Sequence, residues 1–103
     1  MKYELMEVIA RRKHSPSWYD CCDELIGTVF HVRKKANGRN YRLLENDHNR
    51  QVFERILPYL RKHYDPHLTD ANECFMRFGI KNNGYARIIY LNNEDALTLL
   101  NLE

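Results

Sequence analysis

Two Asn-Gly pairs, Asn37-Gly38 and Asn83-Gly84, constrain this chain more than any other feature. Asn and Gly both adopt positive φ readily, as a type I′ hairpin turn requires at its two central positions. Each pair lies between residues suited to strands. The first hairpin is expected to run from Gly27 to Ala36 and return from Arg39 to Glu45. The second is expected to run from Cys74 to Asn82 and return from Tyr85 to Leu91. A two-residue turn also fixes which residues face each other, because side chains alternate along a strand. In the first hairpin Lys34 should oppose Tyr41, Val32 should oppose Leu43, and Phe30 should oppose Glu45, on a largely apolar face. The other face pairs Lys35 with Asn40, Arg33 with Arg42, and His31 with Leu44. In the second hairpin Phe78 should oppose Ile89. Its last strand, residues 86–91, is apolar on both sides and so calls for cover on both. The sheet is expected to curl over a core on one side and receive a helix on the other.

The remaining elements follow from spacing. Residues 2–11 read as a strand, with Tyr3, Leu5 and Ile9 on one face and Met6, Val8 and Ala10 on the other. Arg12 to Glu24 form a long connection containing Ser15-Pro16-Ser17-Trp18, and Trp18 and Tyr19 should tuck it onto the core. Between the hairpins, Phe53, Ile56, Leu57, Leu60 and Tyr64 fall on one face of a helix over roughly Asp47 to Tyr64. Asn46 or Asp47 suits its N-cap. Pro58 should kink the helix or split it near Leu57. Asn92 to Asp95 should cap a last short helix carrying Ala96, Leu97, Leu99 and Leu100. The fold class is therefore α+β in a single domain, residues 1–103. It comprises a strongly bent antiparallel sheet of about five strands, at its most closed a partly open small barrel, with one long kinked helix and a short C-terminal one.

The bulk properties narrow function only by exclusion. A net charge of +2 neither demands nor excludes nucleic acid. Its distribution is more telling, since residues 1–45 carry net +3 and residues 46–103 net −1. No apolar run approaches the ~20 residues of a membrane span. Nothing at the N-terminus reads as a secretory signal. The three cysteines are odd in number and Cys21 and Cys22 are adjacent, which suits reduced thiols in a cytoplasmic setting.

The order strand, long loop, hairpin, hairpin, short helix resembles Src-homology-type small β-barrels. Leu25-Ile26-Gly27-Thr28-Val29-Phe30-His31-Val32 and Ile88-Ile89-Tyr90-Leu91 carry the resemblance. The long helix between the hairpins departs from that plan. In style, this short chain rich in Asn and Tyr, with free thiols, also resembles the small accessory proteins of tailed bacteriophages. That resemblance implies a protein acting on a host macromolecule.

The chemistry is sparse. No catalytic motif is present, and the four glycines are too dispersed to form a phosphate loop. His63 and His67 show H-x3-H spacing, and Cys21, Cys22 and Cys74 could join them. Asp65-Pro66 between the two histidines should break any shared helical face, however, so neither a metal nor any other cofactor is expected. His31 beside Arg33 and Arg42 is the one arrangement that would suit a small nuclease, with imidazole as acid or base and arginines on phosphate. The strongest lead is the basic hairpin face itself: His31, Arg33, Lys35, Arg39 and Arg42, with Tyr41 near the turn as a stacking surface. Arg11, Arg12 and Lys13 should extend it if the first strand lies alongside, and Trp18 sits on the same long loop. The bland alternative is a solvated face that blocks edge pairing.

The sequence therefore reads as a non-catalytic binding module that regulates or inhibits another macromolecule, first of all a protein. An RNA- or single-stranded-DNA-binding domain using the same face is the alternative, and a small nuclease is third. No membrane partner is expected.

Overall fold

The computed structural model of the chain describes residues 3–38, 40–81 and 85–91. The strands are β1 (Tyr3–Val8), β2 (Val29–Lys34), β3 (Asn40–Leu43), β4 (Ile80–Lys81) and β5 (Ala86–Leu91). The helices are α1 (Asp47–His63), between β3 and β4, and α2 (Ala71–Arg77), just before β4. The long β1–β2 connection contains two single-turn 3-10 helices, Trp18–Asp20 and Asp23–Leu25.

All strand pairs are antiparallel, and the order across the sheet is β4-β3-β2-β1-β5. That order forces curvature. β4 and β5 lie at opposite edges, and in a flat sheet four inter-strand spacings would hold them about 19 Å apart. Only five peptide steps separate Lys81 from Ala86, which reach ~17 Å even when fully extended. The sheet accordingly curls into a half-barrel. The β1–β2 connection bridges its open side: Trp18 Nε1 donates to the Gly79 carbonyl at 2.8 Å, and the Tyr19 hydroxyl to that of Lys81 at 2.5 Å. Trp18 and Tyr19 are buried, as expected.

The first hairpin has the expected register, with Lys34 opposite Tyr41, Arg33 opposite Arg42 and Val32 opposite Leu43. Its turn is different. Gly38 has φ +74°, but Asn37 is not among the residues with positive φ, so this is no type I′ turn. Instead the Gly38 amide donates to the Lys35 carbonyl and the Asn37 side chain accepts from the Asn40 amide.

The second hairpin does not form. Residues 74–77 belong to α2, capped by Asp70, whose side chain accepts from the Glu73 amide. The remaining strand, β4, is two residues long and pairs with β3. Ile89 lies opposite Leu5 of β1, not Phe78. Asn83-Gly84 and the expected C-terminal helix lie outside the described residues.

α1 starts and ends close to expectation. Asn46 is the N-cap, accepting from the Asn49 amide. The helix runs unbroken through Pro58, so no split occurs near Leu57. Proline removes the bond to the Glu54 carbonyl, but both residues are exposed, on the side of the helix where solvent replaces that bond. The opposite side buries Val52, Phe53, Ile56, Leu57 and Leu60, while Tyr64 is left exposed. α1 packs on the concave side of the sheet, not behind it. Phe53 lies 5.5 Å from Phe30 of β2, and Trp18 contacts both rings, at 5.1 Å and 5.5 Å. Helix, sheet and loop thus share one core. No helix among the described residues is long and apolar enough to cross a membrane.

Candidate binding face

Antiparallel alternation past the rim of the barrel sets out the basic face. Along β2, Phe30, His31 and Val32 are buried, and from Arg33 onward every residue to the turn is exposed. The hairpin therefore projects beyond its core. Arg33 and Arg42 stand directly across from each other. Bonds from Leu44 to His31 and from Lys35 to Asn40 flank them, which makes theirs a hydrogen-bonded pair with Cα atoms about 5.5 Å apart. Arg33, Lys34, Lys35, Ala36, Asn37 and Arg42 line one open depression. Among the described residues no carboxylate forms an ion pair with Arg33, Lys35 or Arg42. Glu4, the acid beside the hairpin, accepts the Lys34 backbone amide.

Other residues assigned to this face from sequence do not belong to it. His31 is 7% exposed. Its ring stacks on His48 of α1 at 3.9 Å, and its Nδ1 meets Asn46 Nδ2 at 3.0 Å. The start of α1 covers the position that alternation left wet. Burial, reinforced by the charge of His48, pushes its imidazole down to about 4. Buried beneath the start of α1, the His31 ring is not presented on the face that carries the arginine pair. Tyr41 is buried opposite Ile80. Trp18 is in the core and offers no stacking surface, and the loop's Tyr19, Cys21 and Cys22 are buried with it. Arg39 lies outside the described residues.

Arg11, Arg12 and Lys13 are near solvent but at the wrong end. β1 runs antiparallel to β2, with Glu4 beside Val32 and Glu7 beside Val29. Arg33 is thus level with the start of β1, while Arg11–Lys13 follow its end, roughly 17 Å away along the strand. Arg12 sits over the Tyr85 ring at 5.4 Å, and Arg11 approaches Asp23 at 4.0 Å. They form a separate basic cluster with His14 and Tyr85.

The thiols are not activated nucleophiles. Burial pushes Cys21 up to about 12 and Cys74 up to about 11. Burial also raises Cys22, helped by its hydrogen bond to Glu24. The fold does assemble one set of metal-ligand atoms that sequence spacing missed: Cys22, Glu24 and His63. His67, the expected partner of His63, is exposed on the turn after α1, its amide donating to Asp65. No pattern of spacing links a loop cysteine to the last residue of a helix 41 positions later.

Compared with known proteins, the chain matches no family model, no curated protein and no solved structure.

Proposed function

We propose that the protein is a non-catalytic binding module that docks on an acidic protein surface through the tip of its β2–β3 hairpin. The observation carrying this reading is the cross-strand pair Arg33 and Arg42, flanked by Lys34 and Lys35, with no ion pair to Arg33, Lys35 or Arg42 among the described residues. Like charges directly opposite cost a few tenths of a kcal/mol in a free sheet. A carboxylate-bearing partner turns that cost into paired, charge-assisted hydrogen bonds. Single-stranded nucleic acid is the weaker reading, because Tyr41, the aromatic residue assigned to stacking, is inside the core, as is Trp18.

The test is Arg33→Gln/Arg42→Gln. Both side chains are exposed, so stability should change by no more than ~0.5 kcal/mol. Bait pulled from lysate under nuclease treatment should capture a protein with the wild type and lose it with the double variant. The loss should lie mainly in the association rate, which in the wild type should fall as salt rises. Retention of the partner by the double variant would reduce the face to a solvated surface. Binding only to nucleic acid, with a salt slope that drops by about one unit per lost phosphate contact, would establish the alternative.

A further inference from the structure

Three side chains of different chemistry converge where the β1–β2 connection meets the end of α1. Cys22 is the residue before the second 3-10 turn, Glu24 lies within that turn, and His63 is the last residue of α1. One donor atom from each, a sulfur, a carboxylate oxygen and an imidazole nitrogen, lies within 4.8 Å of the others. His63 Nε2 and Glu24 Oε2 are 3.8 Å apart. That is too long for a direct hydrogen bond. Two ligands of a tetrahedral zinc ion, each about 2.05 Å from it, stand ~3.4 Å apart. The observed gap is therefore close to what a shared ion would set, and side-chain rotation closes the difference. Cys22 is buried, while Glu24 and His63 reach it from the solvent side, which leaves an entry path.

We propose that Cys22, Glu24 and His63 bind a zinc ion, with water in the fourth position. The donor set selects the metal. Thiolate and imidazole suit zinc-class ions and disfavour calcium and magnesium, which take oxygen ligands. The charges also balance, since a thiolate and a carboxylate neutralise the dication and imidazole binds neutral. The thiol proton is released to solvent as the Zn–S bond forms. The ion ties the long connection, which carries Trp18 and Tyr19 into the core, to the end of α1. It thus clips together two segments far apart in sequence.

Cobalt(II) is the probe, because a cysteine sulfur bound to it gives a charge-transfer band in the near ultraviolet. The full chain, reduced and freed of metal, should develop this band, saturate at one equivalent, and lose it on addition of zinc. Zinc should raise the melting temperature and a chelator should reverse the rise. Cys22→Ser should abolish the band. That residue is buried, so its replacement also perturbs folding, and Glu24→Gln and His63→Gln, both at exposed positions, carry the test independently. Loss of a supporting group around a metal already costs about 10–100-fold in affinity, so each of these should weaken cobalt binding at least that much. His67→Gln should leave it unchanged. Absence of the band, its persistence at full affinity in Glu24→Gln and His63→Gln, or an equal loss in His67→Gln would overturn the assignment.

Discussion

At the scale of single residues, His31 shows most clearly how burial changes a side chain's role. Strand alternation places it with Arg33 on the wet face, and that parity is correct. What alternation does not reveal is that the first turn of α1 lies over that position, stacking His48 on the ring. A buried neutral imidazole makes stability depend on pH. Folded His31 takes up its proton near pH 4, whereas the unfolded residue does so near 6.5. Between those values the unfolded state binds more protons, so stability falls as pH drops from about 6.5 to about 4 and the loss then levels off. The stake is roughly 3 kcal/mol at most. Urea midpoints at pH 7, 5 and 4 should fall more steeply for wild type than for His31→Gln. Carboxylates that titrate in the same range affect both proteins alike, so parallel curves would clear His31 of any part in the effect.

At the scale of elements, Asn49 decides how α1 joins the sheet. It is fully buried. Its side-chain oxygen accepts the His31 amide, and its side-chain amide donates to the carbonyls of His31 and Leu44. It therefore acts as a short stretch of strand at the place where β3 ends. Asn49→Ala would leave the His31 amide and the Leu44 carbonyl without these partners, while the His31 carbonyl keeps the Leu44 amide, and should cost about 3 kcal/mol. Asn49→Asp keeps the acceptor and loses the donors, so it should fall no lower than alanine only if its charge is neutralised. Denaturant titration of the three proteins checks both orders. This asparagine was legible only as a polar residue in the first turn of a helix. The first hairpin was legible because alternation and turn length fix a register locally. The second was misread because residues 71–80 fit two periods at once: Met76, Phe78 and Ile80 alternate, while Ala71, Cys74 and Phe78 recur at helical spacing. The deciding signal was Asp70-Ala71-Asn72-Glu73, a capping sequence whose cap bond does form. Met76, which strand alternation would bury together with Phe78 and Ile80, is 86% exposed on the helix. The grouping of Cys22, Glu24 and His63 had no local signal, since it exists only once the loop has met the end of α1.

At the scale of the whole molecule, one side chain ties the layers together. Trp18 is stacked on Phe78 at 4.8 Å and meets Phe30 of β2, Phe53 of α1 and neighbouring Tyr19 within 5.5 Å. Its indole N–H also supplies the hydrogen bond to Gly79 across the open side of the half-barrel. A 103-residue chain has a small core and a stability of only about 5–15 kcal/mol. Replacing a fully packed aromatic by alanine costs ~3–5 kcal/mol, because the cavity is only partly refilled. Trp18→Ala should therefore melt far below wild type or lack a cooperative transition by circular dichroism. Trp18→Phe keeps most of the ring packing and loses the donor to Gly79, so its penalty should be smaller, on the order of 1–3 kcal/mol. Trp18 is the sole tryptophan, so its fluorescence reports closure of the barrel directly in the wild type. If loop, sheet and α1 form one cooperative unit, the fluorescence and circular dichroism transitions in urea should coincide. A fluorescence change at lower urea than the loss of helix would mean that the loop detaches first. The half-barrel would then be held shut by Trp18 and Tyr19 only as a separable lid.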